Sequence, residues 1–311
     1  MNRGGVKMFK RYELHNHTLE SDASQSCEEL IEAMERDRAD VFAITDHNTV
    51  SGHRIIRRLL EETLRRVKAI YGMEYTTYYG HIICPILNTY VPWDSINRNE
   101  PELLFKACKD AGAIVGIAHP FALGDPFARG CRFEMDITDF SCVDYIEIIN
   151  NQESMSEVNS HGIEWWEKLA LKGERISACA GMDMHRDSGF EMKFATYIDG
   201  TDDGAPADEL KKAVESGRTW VSKGMALVCE NETDGQWKFR IEDLKKNGFV
   251  YPAQYVMTLK TDTEEKEYSI TGKSITLSEK DLPQGDIIIP KLYSDEKSLE
   301  NLVCVSPVIR L

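Results

Sequence analysis

No stretch of the chain approaches the roughly 18 consecutive apolar residues that a helix needs to cross a bilayer. The opening residues, MNRGGVKMFKRYE, hold no apolar segment of leader length either, so the sequence predicts a soluble, cytoplasmic protein without a membrane partner. A basic surplus is missing as well: 37 Lys and Arg face 52 Asp and Glu, a formal net charge of −15. Long nucleic acids are held by basic stripes, which argues against such a partner and leaves small anions in play. The eight cysteines contain no CxxC pair and no spacing suited to a zinc knuckle or a disulfide framework, so they read as reduced, small apolar residues. No internal repeat or low-complexity tract stands out.

What the chain does have is histidine and carboxylate at the ends of strand-like runs. Within the first 185 residues YELHNH, VFAITDH, IYGMEY, AIVGIAH and ISACAGMDMH each close on a metal-binding side chain. The carboxyl ends of strands in parallel α/β folds share one rim, so such side chains are expected to meet in space. His15 and His17 lie two apart, which places both imidazoles on one face of a strand; Asp183 and His185 repeat the pattern. Asp22, His47, Glu74, His81 and His119 complete a set of six histidines and three carboxylates, with Glu74 as the natural bridge between ions. A lone strand-end histidine is ordinarily a structural residue. Nine ligand-type side chains in one series point instead to two or three divalent ions, each with four or five ligands. Imidazole mixed with carboxylate and no thiolate suits Zn, Mn or Fe. His53 and His161 end no strand and are expected to be solvated or capping residues.

ELHNHT, Asp22, TDHNTVSG, GMEY, AHP and GMDMH, in that order and spacing, resemble the successive motifs of the PHP superfamily, the polymerase and histidinol phosphatase metallo-phosphoesterases. The resemblance runs from residue 11 to about residue 222, and no ligand position is replaced. It implies an α/β fold, a distorted TIM-like barrel of seven β/α units holding up to three ions. One ion would take His15, His17, Glu74 and Asp183, a second Glu74, His81 and His119, and a third Asp22, His47 and His185. The implied activity is hydrolysis of a small phosphorylated metabolite or nucleotide by a metal-bridging hydroxide. A carboxylic ester, amide or carbamate could be cleaved by the same centre, and a non-catalytic metal-stabilised module is a third reading. Catalytic roles are expected for Glu74 and Asp183, with Asp46 as a base or as an orienter of an imidazole. Arg129 and Arg132, in the loop after His119, and Arg186 are candidates to clamp a phosphate. Glu147, Asn150 and Asn151 end the run VDYIEIINN at the same rim, for substrate contact or loop support.

Strand and helix alternate through residues 1–225, and 42% apolar content allows a sizeable core. Ser26 with Glu29 reads as a capping box ahead of the stripe Cys27, Leu30, Ile31 and Met34. A second helix is expected over 55–67, a third between Pro101 and Gly112, and two more over 160–173 and 206–217. Residues 226–311 carry no histidine and break into short alternating runs, as in an antiparallel β-sandwich, which reads as a packing or dimerisation appendage. The oligomeric state is not legible.

Overall fold

The computed structural model describes residues 7–123, 129–153, 157–190, 193–232, 235–244 and 254–311. In chain order the main elements are β1 (Lys7–Glu13), α1 (Cys27–Arg36), β2 (Val41–Ile44), α2 (Ser51–Glu62), β3 (Lys68–Thr77), β4 (Gly80–Pro85), α3 (Glu102–Asp110), β5 (Gly116–Ile117), β6 (Tyr145–Asn150), α4 (Glu157–Leu171), β7 (Ser177–Gly181), β8 (Ala195–Thr201), α5 (Pro206–Glu215) and β9 (Thr219–Ser222). There follow β10 (Met225–Glu232), β11 (Gln236–Asp243), β12 (Tyr255–Lys260), β13 (Glu265–Ile270), β14 (Ser274–Ser278), β15 (Ile287–Ser294), β16 (Leu302–Val305) and β17 (Ile309–Arg310). Among the described residues no helix is long and apolar enough to cross a membrane.

Local sequence sets the helices. Ser26 Oγ accepts the Glu29 amide at 3.2 Å while Glu29 Oε2 accepts the Ser26 amide at 2.7 Å, so α1 starts where the capping box places it. Its stripe of Cys27, Leu30, Ile31 and Met34 is buried in one cluster with Phe42 and Ile44 of β2. Gly112, just past α3, adopts φ +91°, the left-handed conformation that lets the chain turn into β5. α2 begins at Ser51, earlier than the apolar periodicity indicates. That start puts His53 in the first turn against β3, where it is buried with Nε2 2.7 Å from the Gly72 carbonyl; it is not a solvated residue.

The strands form a large mixed sheet with few helices. Its path runs β13-β12-β15-β16-β9-β8-β1-β2-β3-β4-β5-β6-β7, with β17 paired to β15. β1, β2 and β3 are parallel, as are β5, β6 and β7, but β4 returns antiparallel from β3, and β8 is antiparallel to both β1 and β9. Seven regular β/α units are therefore not what the chain builds: the β3–β4 hairpin replaces one crossover. β7 and β1 meet at the rim through an isolated parallel bridge between Asn16 and Met184, in which His17 N–H donates to Met184 O at 3.0 Å and Met184 N–H to His15 O at 3.3 Å. Farther along β7 the contact passes to side chains. Thr196 Oγ1 accepts from Ala180 N at 2.9 Å, and Thr219 Oγ1 donates to Ala178 O at 2.7 Å.

The tail departs from a free-standing sandwich. β12, β13, β15 and β16 continue the main sheet, because β16 pairs β9 at Cys304–Ser222 and Val305–Val221. β10, β11 and β14 make a separate three-stranded sheet. The two share a core in which Leu227, Phe239, Met257 and Leu292 are buried with Tyr197 and Trp220 from β8 and β9. One layer of this sandwich-like packing is thus borrowed from the N-terminal region, since β9 offers an unpaired edge that β16 fills.

A buried charge also joins tail and body. Glu167 on α4, 2% exposed, binds Lys291 Nζ of β15 at 2.6 Å and the ammonium of Lys260 of β12. Removing one partner of a buried pair strands the other charge, at a cost of about 3–5 kcal/mol. Glu167→Ala is expected near the lower figure because Lys260 is partly solvated, read as a fall in urea denaturation midpoint; an unchanged midpoint would remove the pair from the account of stability.

Candidate metal centre

The site is assembled just beyond the strand ends. Asn16, between the two histidines that follow β1, turns its amide into the sheet, donating to Glu13 O at 3.1 Å and Ala43 O at 3.0 Å. His15 and His17 consequently face the opposite way, and both are fully buried. β3 carries Glu74 and β4, its hairpin partner, carries His81 two residues out of register: Glu74 pairs with Ile83 and Thr76 with His81. His47 comes alongside through an isolated bridge to Glu74, and the Asn48 amide N–H donates to Glu74 O at 2.9 Å. His119 and Asp183 follow β5 and β7 at φ +22° and +50°, left-handed values that non-glycine residues adopt at a cost of about 1 kcal/mol or more.

Four atoms enclose one point. His15 Nε2 lies 3.1 Å from Glu74 Oε2 and 3.3 Å from Asp183 Oδ1; His17 Nε2 lies 3.3 Å and 3.1 Å from the same two oxygens. All four are buried and none has a hydrogen-bond partner. A tetrahedral ion with ligands at about 2.0–2.1 Å requires ligand-to-ligand edges of about 3.3–3.4 Å. Unpartnered buried polar atoms each cost about 1–3 kcal/mol, so four converging on a common centre fit a cation.

The other predicted ligands lie around this core. Glu74 Oε1 is 2.9 Å from His81 Nδ1 and 3.2 Å from His119 Nε2. Asp22 Oδ1 is 3.1 Å from His185 Nε2 and 3.5 Å from His47 Nε2, and the His17 ring lies between those of His47 and His185, at 4.2 Å and 4.4 Å. Ligand atoms within 4.8 Å of one another form the groups His15–His17–Glu74–Asp183, His17–Asp22–His47–His185, His47–Glu74–His81 and His15–His119–Glu147. A cavity of about 930 Å³ opens over them.

Burial disfavours charge on Glu74 and Asp183, yet the surrounding imidazoles, His15 foremost, together outweigh it and hold both carboxyls well below the usual range. Burial likewise opposes protonation of His15 and His17. The Asp183 and Glu74 carboxylates override it, raising His15 well above 6.5 and His17 to about 9. An ion-free centre thus balances its carboxylates with protonated imidazoles, which a cation must displace.

Glu147 supports the ligands. Its carboxylate contacts His15 Nδ1 at 3.1 and 3.3 Å and accepts the His119 amide at 2.9 Å. Gly181 makes room for it: a Cβ there would come 2.0 Å from Glu147 Oε1 and 2.6 Å from His15 Cβ. Asn150 donates to Asp183 Oδ2 at 3.1 Å and lines the cavity, whereas Asn151 donates to the Gly181 and Phe194 carbonyls, both at 2.8 Å, and is loop support.

Other expectations need correction. Asp46 holds no imidazole; its oxygens take the Thr18 amide at 2.6 Å and the Thr18 and Ser21 hydroxyls at 2.8 Å, fixing the turn that leads to Asp22. Arg132 and Arg186 are exposed and do not line the cavity, Arg186 because it directly follows His185 and so faces away. The Arg129 side chain lies outside the described residues. Sequence reasoning missed Gln152, whose Nε2 is 3.1 Å from His185 Nδ1, and Thr76, whose hydroxyl meets His47 Nδ1. Thr76 was findable, two residues from Glu74 on the same strand face; Gln152 sits in an irregular turn that carries no periodic signal.

No family model matches the chain. Over 144 residues it is 27% identical to an uncharacterized protein of Methanocaldococcus jannaschii, a match spanning 45% of this chain and 74% of that one. A two-domain protein of Bacteroides vulgatus, described as containing a predicted PHP-like metal-dependent phosphoesterase, superposes with a TM-score of 0.58 over 98% of this chain and 96% of its own, at 13% identity. The fold is PHP-like. A proposed metal-dependent phosphoesterase from Bifidobacterium adolescentis, at 13% identity, overlays 65% of this chain and 95% of its own with a TM-score of 0.42, too loose to bear on function. In this PHP-like fold the ligand groups lie at the carboxyl ends of β1, β2, β5 and β7 and on the β3–β4 hairpin.

Two outcomes follow. Glu147→Ala and Gly181→Ala should each weaken metal binding about 10–100-fold, the usual effect of disturbing a ligand's support, measured by competition with a chromogenic chelator; equal affinity would show that Glu147 does not orient His15. Affinity should also climb with pH up to about 9, since His17 must lose a proton held to that value. Calorimetry in buffers of different ionisation enthalpy would detect the proton release, and its absence would contradict the charge balance above.

Proposed function

We propose that the chain is a metal-dependent hydrolase, and within that class a phosphoesterase acting on a small phosphorylated metabolite or nucleotide. The observation that carries this reading is the quartet of buried, unpartnered atoms from His15, His17, Glu74 and Asp183. They would hold one divalent ion; Glu74, His81 and His119 would hold a second, and Asp22, His47 and His185 a third. Hard carboxylates with imidazoles favour Zn, Mn or Fe. Ions in such a site supply Lewis acidity and lower the pKa of coordinated water toward about 7.

The chain's own groups do the rest. Glu74 and Asp183 fix the centre from two separate strands, and Glu147 keeps His15 from rotating. Asn48 and Asn150 line the cavity, each with one amide N–H beyond the one given to a neighbour in the fold, suited to phosphoryl or sugar oxygens. A volume of about 930 Å³ accommodates a metabolite or mononucleotide. Local positive charge from the ions would reverse the field of an acidic protein and draw an anion in. The phosphoester choice leans on the phosphoesterase assigned to the Bacteroides vulgatus protein of similar fold. We also assign residues 1–225 to the metal-bearing domain and 226–311 to a packing appendage.

Metal content by mass spectrometry, measured beside turnover of an aryl phosphate, a bis-aryl phosphate and an aryl acetate, tests the proposal. Glu74→Ala and Asp183→Ala should lose bound metal and at least about 10³-fold in turnover, the scale of removing an electrostatic stabiliser. His161→Ala, exposed on α4, should keep both. Full activity in metal-depleted Glu74→Ala would refute the hydrolase centre, and turnover of the acetate alone would replace the phosphoester reading.

A further inference from the structure

A second cavity, of about 250 Å³, lies away from the metal rim at the amino-terminal ends of β7 and β9. Its walls come from Trp166 on α4, the turn after α5 and the tail from Ser306 to Arg310. Arg175 and Arg310 both line it. Neither guanidinium has a carboxylate partner among the described residues, although Glu215 borders the same space. Arg310 donates once, to the Glu174 carbonyl at 2.7 Å, and Arg175 makes no hydrogen bond or ion pair there. Burial and the neighbouring Arg175 charge push the Arg310 pKa down.

The hydroxyls around the cavity narrow the ligand. Ser177 and Thr219 spend their protons on the Val214 and Ala178 carbonyls, each at 2.7 Å. Donation to a guest therefore falls to the two arginines and to Ser306, which is 2% exposed and whose hydroxyl has the Cys304 thiol at 3.5 Å as its one hydrogen-bond partner among the described residues. Nine or so N–H donors in two planar forks match an oxyanion, which guanidinium binds in a bidentate manner. The volume falls below the roughly 300 Å³ at which pockets begin to hold drug-sized ligands.

We propose that this cavity is an anion site for a small tetrahedral oxyanion of the phosphate type, separate from the metal centre. Occupancy would tie the tail to the body, because Arg310 and Ser306 belong to one and Arg175 to the other. A ligand that binds only the folded chain raises its melting temperature, and the rise grows with the logarithm of ligand concentration above the dissociation constant.

Equilibrium dialysis of the metal-loaded full chain with labelled inorganic phosphate reads the site directly, with sulfate as competitor. Wild type should bind one phosphate per chain more than Arg175→Gln or Arg310→Gln, sulfate should displace that phosphate, and the phosphate-induced rise in melting temperature should fall in both variants. Metal content and turnover should stay unchanged. Arg175→Gln removes no hydrogen bond or ion pair among the described residues, so it remains informative if Arg310→Gln proves unstable; Arg58→Gln, on the exposed face of α2, serves as the charge control. Equal phosphate stoichiometry in wild type and Arg175→Gln, or an equal loss in Arg58→Gln, would overturn the proposal.

Discussion

Two carboxylates, Glu74 fully buried and Asp183 nearly so, hold this molecule's chemistry together. Glu74 and Asp183 approach the same pair of imidazoles from separate strands, and burial would neutralise either one if positive charge did not stand between them. The resulting demand for a cation constrains everything nearby. His119 and Asp183 accept left-handed backbone, and Gly181 forgoes a side chain so that Glu147 can reach His15. Such local costs persist only where surrounding structure overdetermines the geometry, and here sheet pairing does so on every side.

The hairpin of β3 and β4 shows how topology serves that demand. A strictly alternating β/α chain would carry ligands only at the carboxyl ends of parallel strands. Folding β4 straight back places His81 beside Glu74, bringing two ligands to one edge of the centre without another crossover. Thr76 and Asn48 then lock His47 to the same strand, Asn48 by exchanging hydrogen bonds with the Thr76 backbone at 3.0 and 3.1 Å.

Much of this was legible because strand alternation and ligand chemistry are local. His15 with His17, and Asp183 with His185, could be assigned to one face from spacing alone, and Ser26 with Glu29 fixed the start of α1 from three residues of context. Failures cluster where the deciding contact is distant in sequence. Asp46 is expected from the sequence to orient an imidazole, but its carboxylate turns toward the Thr18 turn, while Glu147 of β6 reaches His15 and Thr76 of β3 reaches His47. The tail's strands were visible as runs, yet nothing in the runs told that β16 would dock on β9 and merge two sheets.

The bridge from Asn16 to Met184 has a consequence for biogenesis. During synthesis the first histidine pair leaves the ribosome long before the segment that completes its surroundings, and contacts this remote carry a loop-closure penalty that makes them late and slow to form. Domains acquire structure as units while the chain emerges, so early ligands must wait as part of an unfinished fold. Any ion that these groups hold would therefore meet a completed cage only after the seventh strand has been made.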